Sequence, residues 1–138
     1  MNHHSSSSSY FSGKAKVILV ILAMLGSCTY SQSRLTRLDP VIYQKWLHSY
    51  EEDTKDLKVY RPSSFDFPRG WGRTGMKFDN NGEFILFDIA PNDAIIQVPG
   101  KWHQITEGNL TISFPSGEKE DFIIEIEEIT SEIFKVKK

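Results

Sequence analysis

Three patterns of hydrophobic and polar positions follow one another along this chain. Nine consecutive apolar residues form the run Val17–Leu25. A helical pattern comes next and predicts an amphipathic helix over residues 39–53. From residue 57 to residue 137, apolar and polar residues alternate in short segments between turn-forming residues, which is typical of β-strands. The chain is therefore predicted to be a mainly β domain preceded by one helix.

The predicted helix rests on its start and on one aromatic stripe. Asp39 is a good N-cap, and Pro40 is pre-organised for the first helical position. The stripe falls at i, i+3, i+4 and i+7 and consists of Tyr43, Trp46, Leu47 and Tyr50. A helix of about three turns is marginal alone, so this face is expected to pack on the sheet. Acidic residues 51–53 oppose the dipole at the helix end, and broken local rules sometimes mark functional sites.

The predicted strands are joined by short connections. Asp79-Asn80-Asn81-Gly82 is a strong hairpin signal between strands at Gly75–Phe78 and Glu83–Ile89. The other predicted strands are Leu57–Arg61, Ala94–Val98, Lys101–Thr106, Leu110–Phe114, Asp121–Ile129 and Glu132–Lys137, with a break at Pro99-Gly100. Short connections require antiparallel neighbours, so we expect an up-and-down meander of seven or eight strands that forms a small barrel or half-barrel.

The apolar run has the features of a secretory signal. Lys14 and Lys16 precede it and small residues follow it. As a helix it would be about 13 Å long, well short of the roughly 30 Å of a bilayer core. Leu25-Gly26-Ser27-Cys28 resembles the lipobox of bacterial lipoproteins, where cleavage leaves a diacylated cysteine. An ordinary signal peptide with an incidental cysteine is the alternative. Cys28 is the only cysteine, so it has no partner for an internal disulfide.

The lipobox divides the chain into a signal peptide (1–27), a polar tether (28–38) and one domain (39–138). After cleavage, the chain would carry 14 Lys and Arg and 18 Asp and Glu, which gives a net charge of −4. This balance disfavours nucleic acid and anionic lipid as partners, so the membrane is reached through the anchor. In some Gram-negative groups, acidic residues close behind the cysteine signal surface export. Here the first is Asp39, which favours a periplasm-facing position in the bacterial cell envelope.

Residues suited to binding concentrate in the loop after the first predicted strand. The segment 63–73 combines aromatic and cationic side chains, namely Phe65, Phe67, Arg69, Trp71 and Arg73. Such a loop either plugs one end of a barrel or forms a binding lip. Asp88 shares a strand face with Phe84 and Leu86. If that face lines the interior, Asp88 needs a cation such as Arg61, Arg69 or Arg73; otherwise it lies at the wet end of the strand.

Residue sets that support catalysis are missing from the mature sequence. It has no free thiol once Cys28 is lipidated, two histidines (His48 and His103), and no Gly-x-Ser-x-Gly or phosphate-binding loop. We therefore expect no enzymatic activity, no cofactor and no metal. A metal held by His48 with Glu51 and Glu52 is the less favoured reading, since one histidine with carboxylates at a helix end is usually a solvated surface.

The order of several short motifs resembles that of small lipocalin-like proteins of bacteria. The motifs begin with Trp46, His48-Ser49-Tyr50-Glu51-Glu52-Asp53, Val59-Tyr60-Arg61-Pro62 and Phe67-Pro68, and continue through Ile89-Ala90-Pro91 to Gly100-Lys101-Trp102. The resemblance covers roughly residues 46–137. It implies a small antiparallel barrel, often capped by a helix, and no established chemistry. True lipocalins carry Gly-x-Trp on their first strand, whereas here Gly100-Lys101-Trp102 lies mid-chain.

Two hypotheses of function follow. In the first, the anchored lipocalin-like domain binds a small apolar or anionic molecule, or a peptide, at the barrel mouth. The residues expected to hold it are Arg61, Arg69, Trp71, Arg73 and Trp102, beside Asp88. In the second, the domain is a non-catalytic structural or interaction module of the envelope, which docks another protein through an exposed strand or the aromatic loop.

Overall fold

The alternating segments form eight antiparallel strands that close into a barrel. A computed structural model describes residues 38–138; the predicted signal peptide, Cys28 and almost all of the tether lie outside them. The strands are β1 (Lys45–His48), β2 (Leu57–Pro62), β3 (Gly75–Phe78), β4 (Glu83–Ile89), β5 (Ile95–Thr106), β6 (Asn109–Ser113), β7 (Phe122–Ile129) and β8 (Phe134–Lys137). Each strand pairs with a neighbour on both sides, so no strand of the barrel is an edge strand over its whole length. The prediction of a mainly β antiparallel barrel is confirmed, in its closed form.

The strand order differs from an up-and-down meander at one place. Around the barrel it is β1-β2-β8-β7-β6-β5-β4-β3, so β1 lies between β2 and β3. Trp46 pairs with Pro62 on one side and with Met76 on the other. The chain must therefore cross over β1 to pass from β2 to β3. The long segment 63–74 makes this crossing.

The helix predicted over residues 39–53 is wrong. Asp39 does cap a turn, since its carboxylate accepts a hydrogen bond from the Val41 amide at 3.1 Å, but the turn is a 3₁₀ helix that ends at Ile42. After β1, a second 3₁₀ turn covers Tyr50–Glu52. β1 hydrogen-bonds to a strand on each side, and this ladder outweighs the helical periodicity of four aromatic and apolar residues. Trp46 is fully buried, as expected, but from a strand.

The predicted break at Pro99-Gly100 is also wrong, because β5 runs continuously through it. Pro99 pairs with Ile85 of β4. The ladder with β6 begins only at Lys101. Before Lys101, β5 therefore behaves as an edge strand on that side, and an edge strand tolerates a proline.

Apolar side chains fill the barrel interior. The largest of them are at most 1% exposed: Ile42, Trp46, Phe78, Phe84, Leu110, Ile112 and Phe134. The ring centroids of Trp46 and Phe134 are 5.4 Å apart, and those of Phe78 and Phe84 are 5.1 Å apart, in the range of favourable aromatic pairs. An eight-stranded barrel is just wide enough for its own side chains. The interior is accordingly a packed core.

The two ends of the barrel differ in what they present. One end carries the β1–β2, β4–β5 and β6–β7 connections; we call it the Trp71 end, because Trp71 lies beside the β4–β5 turn there. The opposite end, the Leu38 end, carries the other hairpin turns, and Leu38 lies there beside Glu107 and Ile129. Within residues 38–138, no helix is long and apolar enough to cross a membrane.

Candidate functional site

The crossover segment 63–74 is the element that organises the candidate site. It leaves β2 at the Leu38 end, passes outside β1 and reaches β3 at the Trp71 end. Its two ends are tied to β1 by backbone hydrogen bonds: the Ser63 amide donates to the Lys45 carbonyl at 3.0 Å, and the His48 amide donates to the Thr74 carbonyl at 2.9 Å. Between these two ends, side-chain contacts hold the segment against the barrel.

Arg73 fixes the C-terminal half of this segment to the turn after β1. Its guanidinium donates two hydrogen bonds to the Glu51 carboxylate, at 2.9 and 2.6 Å, and one to the His48 carbonyl at 3.0 Å. The Arg73 Cζ atom lies 4.8 Å from the ring centroid of Tyr50 and 4.5 Å from that of Phe67. The Arg73 side chain is only 8% exposed, so it is a built part of the structure.

Arg61 makes a second pair of the same kind with the neighbouring glutamate. Its Nε and Nη2 donate to the two Glu52 carboxylate oxygens at 2.8 and 2.5 Å, and its Nη1 donates to the Glu132 carbonyl at 3.0 Å. The Phe65 ring lies over the guanidinium at 5.0 Å. Phe65 and Phe67 also contact each other edge to face, with centroids 5.0 Å apart. The two ion pairs and their aromatic covers therefore form one continuous clamp.

The two glutamates neutralise the positive charges of Arg61 and Arg73, which an anionic ligand would need. Hydrogen bonds from Arg73 lower the pKa of Glu51 below its usual value. Hydrogen bonds from Arg61 lower the pKa of Glu52 to about 2. Both carboxylates are thus firmly ionised at neutral pH, and each balances one arginine. The binding of a small anion by Arg61 and Arg73 stays a prediction, and it would require displacing a two-point carboxylate from each.

Trp71 lies on the outer side of the clamped segment and is 88% exposed. The neighbouring residue, Gly72, is held from two directions. Its carbonyl accepts a hydrogen bond from the Tyr50 hydroxyl at 3.2 Å, and a Cβ at this position would lie 3.0 Å from Ile95 Cδ1. The backbone beside Trp71 is therefore fixed, although the indole itself is in solvent.

A shallow groove of about 190 Å³ lies beside Trp71. It is lined by Trp71, Gly72, Ile89 and Asp93, with Ile95 paired to Ile89 across the β4–β5 hairpin. Ile89 and Ile95 are each 41% exposed. Asp93 occupies the turn of that hairpin in the left-handed region, with φ of 63°, which aspartate tolerates better than most residues. The groove thus combines an aromatic face, an aliphatic wall and a carboxylate.

Asp88 and Trp102 lie apart from this groove. Asp88 forms an ion pair with Lys119 of the β6–β7 connection, and that hydrogen bond, with another from the Ile89 amide, lowers the pKa of Asp88. Asp88 is at the wet end of its strand, as one of the two alternatives predicted, and the other alternative, in which an arginine pairs with it, is wrong. Trp102 is partly buried, packs against the core and donates from Nε1 to the Asp79 carbonyl at 2.8 Å, at the Leu38 end.

A larger open groove of about 390 Å³ adjoins Arg61. Its lining also includes Gln44, Phe65 and Glu132. Arg61 is the only cation among its lining residues, and it is already paired with Glu52. Arg69, the third arginine of the prediction, is exposed on the crossover segment. Of the predicted site residues, Arg61 and Arg73 therefore lie close together, because they pair with the consecutive residues Glu52 and Glu51. Arg69 and Trp71 are exposed on the crossover segment. Trp102 lies apart from all four, at the Leu38 end.

His48 has a structural partner close by. Its Nε2 lies 3.0 and 3.1 Å from the two Asp53 carboxylate oxygens, and its ring stacks on Tyr60 with centroids 5.0 Å apart. Asp53 also accepts a hydrogen bond from the Val59 amide at 2.9 Å. Across residues 38–138, no group of three histidine, cysteine or acidic side chains is arranged to hold a metal ion.

Sequence reasoning missed the partners that give this site its form. The sequence indicates Glu51 and Glu52 as acids at an unfavourable helix end and, less favoured, as metal ligands with His48. Two adjacent acids without local compensation are the available signal for distant arginines. For the part of the groove formed by Ile89 and Asp93, the sequence holds only a weaker signal, namely an apolar residue at the end of a strand followed by a polar turn. No local pattern indicated that the crossover segment would pack against that hairpin.

Comparison with known proteins identifies no relative of this chain. No protein-family profile, no curated protein and no solved structure matches the chain. The lipocalin-like resemblance stays a prediction.

Proposed function

We propose that this protein is a membrane-anchored, non-catalytic docking module, which binds another envelope protein through the Trp71 end of its barrel. Of the two sequence hypotheses, this is the one that the geometry favours. The observation that carries it is the contrast between Trp71, 88% exposed, and the rigidly held segment that presents it.

A fixed, exposed tryptophan is a good binding anchor for energetic reasons. Tryptophan is enriched among the residues that dominate protein interfaces. Presenting it on a segment already ordered by Arg73 and Arg61 lowers the conformational entropy lost on binding. Nothing in the folded barrel needs Trp71 for packing, since its side chain is almost wholly in solvent.

Two observations count against the small-molecule hypothesis. The barrel interior is occupied by Trp46, Phe78, Phe84 and their neighbours, so a ligand cup inside the barrel would require repacking the core. The arginines expected to bind an anion are paired with Glu51 and Glu52. A domain with a filled interior and neutralised arginines is better suited to binding a partner on its surface.

Anchoring through Cys28 is part of the proposal and is tested separately. Two acyl chains on this residue would give stable membrane attachment, whereas one chain would not. We expect the chain to incorporate labelled palmitate in bacterial cells and Cys28→Ala to lose the label. Equal labelling of the two chains would overturn the anchor without affecting the docking surface.

The docking function is tested by photo-crosslinking in cells. A crosslinking phenylalanine analogue replaces Trp71 in one variant and Ile105 in a matched control, since Ile105 is also exposed, at 51%, but lies near the Leu38 end of β5. We expect one discrete protein adduct from position 71 and none from position 105. Absence of an adduct at position 71, or the same adducts at both positions, would overturn the proposal.

A further inference from the structure

We propose that the groove beside Trp71 receives a cationic side chain, arginine or lysine, of the partner protein. This inference rests on the proposed docking function and names the chemistry of its partner. The groove holds three features that together match such a side chain: the Trp71 ring, the aliphatic side chain of Ile89, which pairs with Ile95 across the hairpin, and the Asp93 carboxylate.

The size of the groove selects a side chain over a small-molecule ligand. Its volume of about 190 Å³ is below the roughly 300–1,000 Å³ of small-molecule sites. One long side chain entering from a partner surface is the appropriate occupant. The apolar stem of lysine or arginine would lie along Ile89, because such stems bury readily on apolar surface while the charged head stays polar.

The charged head would find two complementary groups. Tryptophan gives the most favourable aromatic face for a cation. Asp93 adds a carboxylate, and no cation among residues 38–138 lies within ion-pair distance of it. By contrast, Asp88 at the same end is already paired with Lys119.

The surrounding charge favours the same occupant. Residues 38–138 carry 12 Lys and Arg against 18 Asp and Glu, a net charge of −6. The three connections at the Trp71 end, 49–56, 90–94 and 114–121, contain eight acids and two lysines. Such a surface attracts a basic partner and repels anionic lipid headgroups. Leu38, the first residue that the structure describes, lies at the opposite end of the barrel from the groove.

The test uses the full chain as purified from cells, in phosphatidylcholine nanodiscs, labelled with 5-fluorotryptophan. The three tryptophans give three fluorine signals, and Trp71→Phe assigns the one from Trp71. The probes are an acetylated leucine–arginine–leucine amide and the same peptide with neutral citrulline in place of arginine. Asp93→Asn is the test variant, because asparagine also tolerates the left-handed conformation of this turn. Asp56→Asn, an exposed acid of the β1–β2 connection, is the matched control.

We expect the arginine peptide to shift the Trp71 signal saturably and to bind about fivefold more tightly than the citrulline peptide, given the modest strength of exposed cation pairs. Asp93→Asn should remove that preference and Asp56→Asn should keep it. Equal binding of the two peptides to the wild type, or an unchanged preference in Asp93→Asn, would overturn the inference. A Trp71 signal that responds to the lipid alone, or to self-association on concentration, would overturn it in favour of a membrane or a second copy.

Crosslinking from position 71 separates this inference from the function on which it rests. If the adduct forms in the wild type and is lost in an Asp93→Lys background, both proposals are supported. If it forms equally in both backgrounds, the docking function stands and the cationic partner is overturned. If no adduct forms in either background, the docking function itself is overturned.

Discussion

Arg73 and Glu51 form a two-point ion pair across 22 residues of sequence, and this pair fixes the crossover segment to the turn after β1. The two hydrogen bonds are charge-assisted, and the planar guanidinium also lies over the rings of Tyr50 and Phe67. A lysine at this position could neither make the fork-like pair nor stack on the rings. The relationship is therefore specific to arginine.

Replacing Arg73 with alanine is expected to destabilise the barrel by about 1–2 kcal/mol, since the pair is only partly buried but two ring contacts are lost with it. Arg73→Lys should recover less than half of that loss. Urea unfolding gives the measurement. The control is Arg69→Ala in the same segment, which should change the free energy of unfolding by less than about 0.5 kcal/mol. Equal effects at positions 69 and 73 would contradict the clamp.

The neighbouring pair, Glu52 with Arg61, predicts a loss of stability in acid. Hydrogen bonds from Arg61 lower the pKa of Glu52 from 4.5 to about 2 in the folded state. A lowered folded pKa stabilises the protein above the unfolded pKa, and that contribution is lost as pH falls from about 5 towards 2. Because a third of the Glu52 side chain is exposed, we expect about 1 kcal/mol.

Glu52→Gln is the variant that checks this assignment. Its free energy of unfolding should be lower than that of the wild type at pH 7, and the difference should shrink as pH falls towards 2. Urea unfolding at several pH values measures the difference. A constant difference across that range would show that Glu52 contributes through packing and not through its charge.

Tyr60 predicts a second loss of stability, in base. Its ring is buried between His48 and Phe134, and burial, with a smaller contribution from the Asp53 carboxylate, raises the pKa of Tyr60 from 10 to about 12. The phenol is harder to ionise in the folded than in the unfolded chain. The stabilisation is therefore complete below pH 10 and is lost as pH rises through about 12, a loss of about 2–3 kcal/mol.

The measurement is the free energy of unfolding between pH 9 and pH 12 for the wild type and for Tyr60→Phe. The phenylalanine variant keeps the ring but has no group to ionise, so its decline over this range should be smaller by about 2 kcal/mol. An identical decline in the two proteins would show that Tyr60 ionises as readily in the folded chain as in the unfolded one.

Features of this fold that depend on neighbouring residues were predictable, and features that depend on distant residues were not. The hairpin around Asp79–Gly82 has the predicted strand bounds, because the turn sequence itself sets them. The spacing of Tyr43, Trp46, Leu47 and Tyr50 fits a helix equally well and therefore predicts one over 39–53. The residues of β1 instead pair with residues of β2 and β3 that lie 12 to 32 positions further along the chain.

The candidate site shows the same limit. The unusual composition of the loop around Trp71 is visible in the sequence, and Trp71 is exposed, so its side chain does not plug the barrel. The partners of Arg61 and Arg73 were not visible, because a 3₁₀ turn that only the fold creates presents Glu51 and Glu52 side by side. The position of Asp93 next to Trp71 likewise depends on how the crossover segment packs on the β4–β5 hairpin.

The close approach of β1 and β3 at Gly75 gives a last prediction. A Cβ at Gly75 would lie 2.2 Å from the Trp46 carbonyl oxygen, a backbone atom that cannot move aside without breaking the ladder between these strands. Gly75→Ala should therefore destabilise the barrel by about 3 kcal/mol or more, in the range of strongly disruptive substitutions. Gly70→Ala is the matched control, because the nearest atom to a Cβ there is 4.0 Å away. That change should be neutral or slightly stabilising, since alanine lowers the entropy of the unfolded chain. Thermal unfolding of the two variants measures both effects, and a Gly75→Ala protein as stable as Gly70→Ala would show that β1 does not lie against β3.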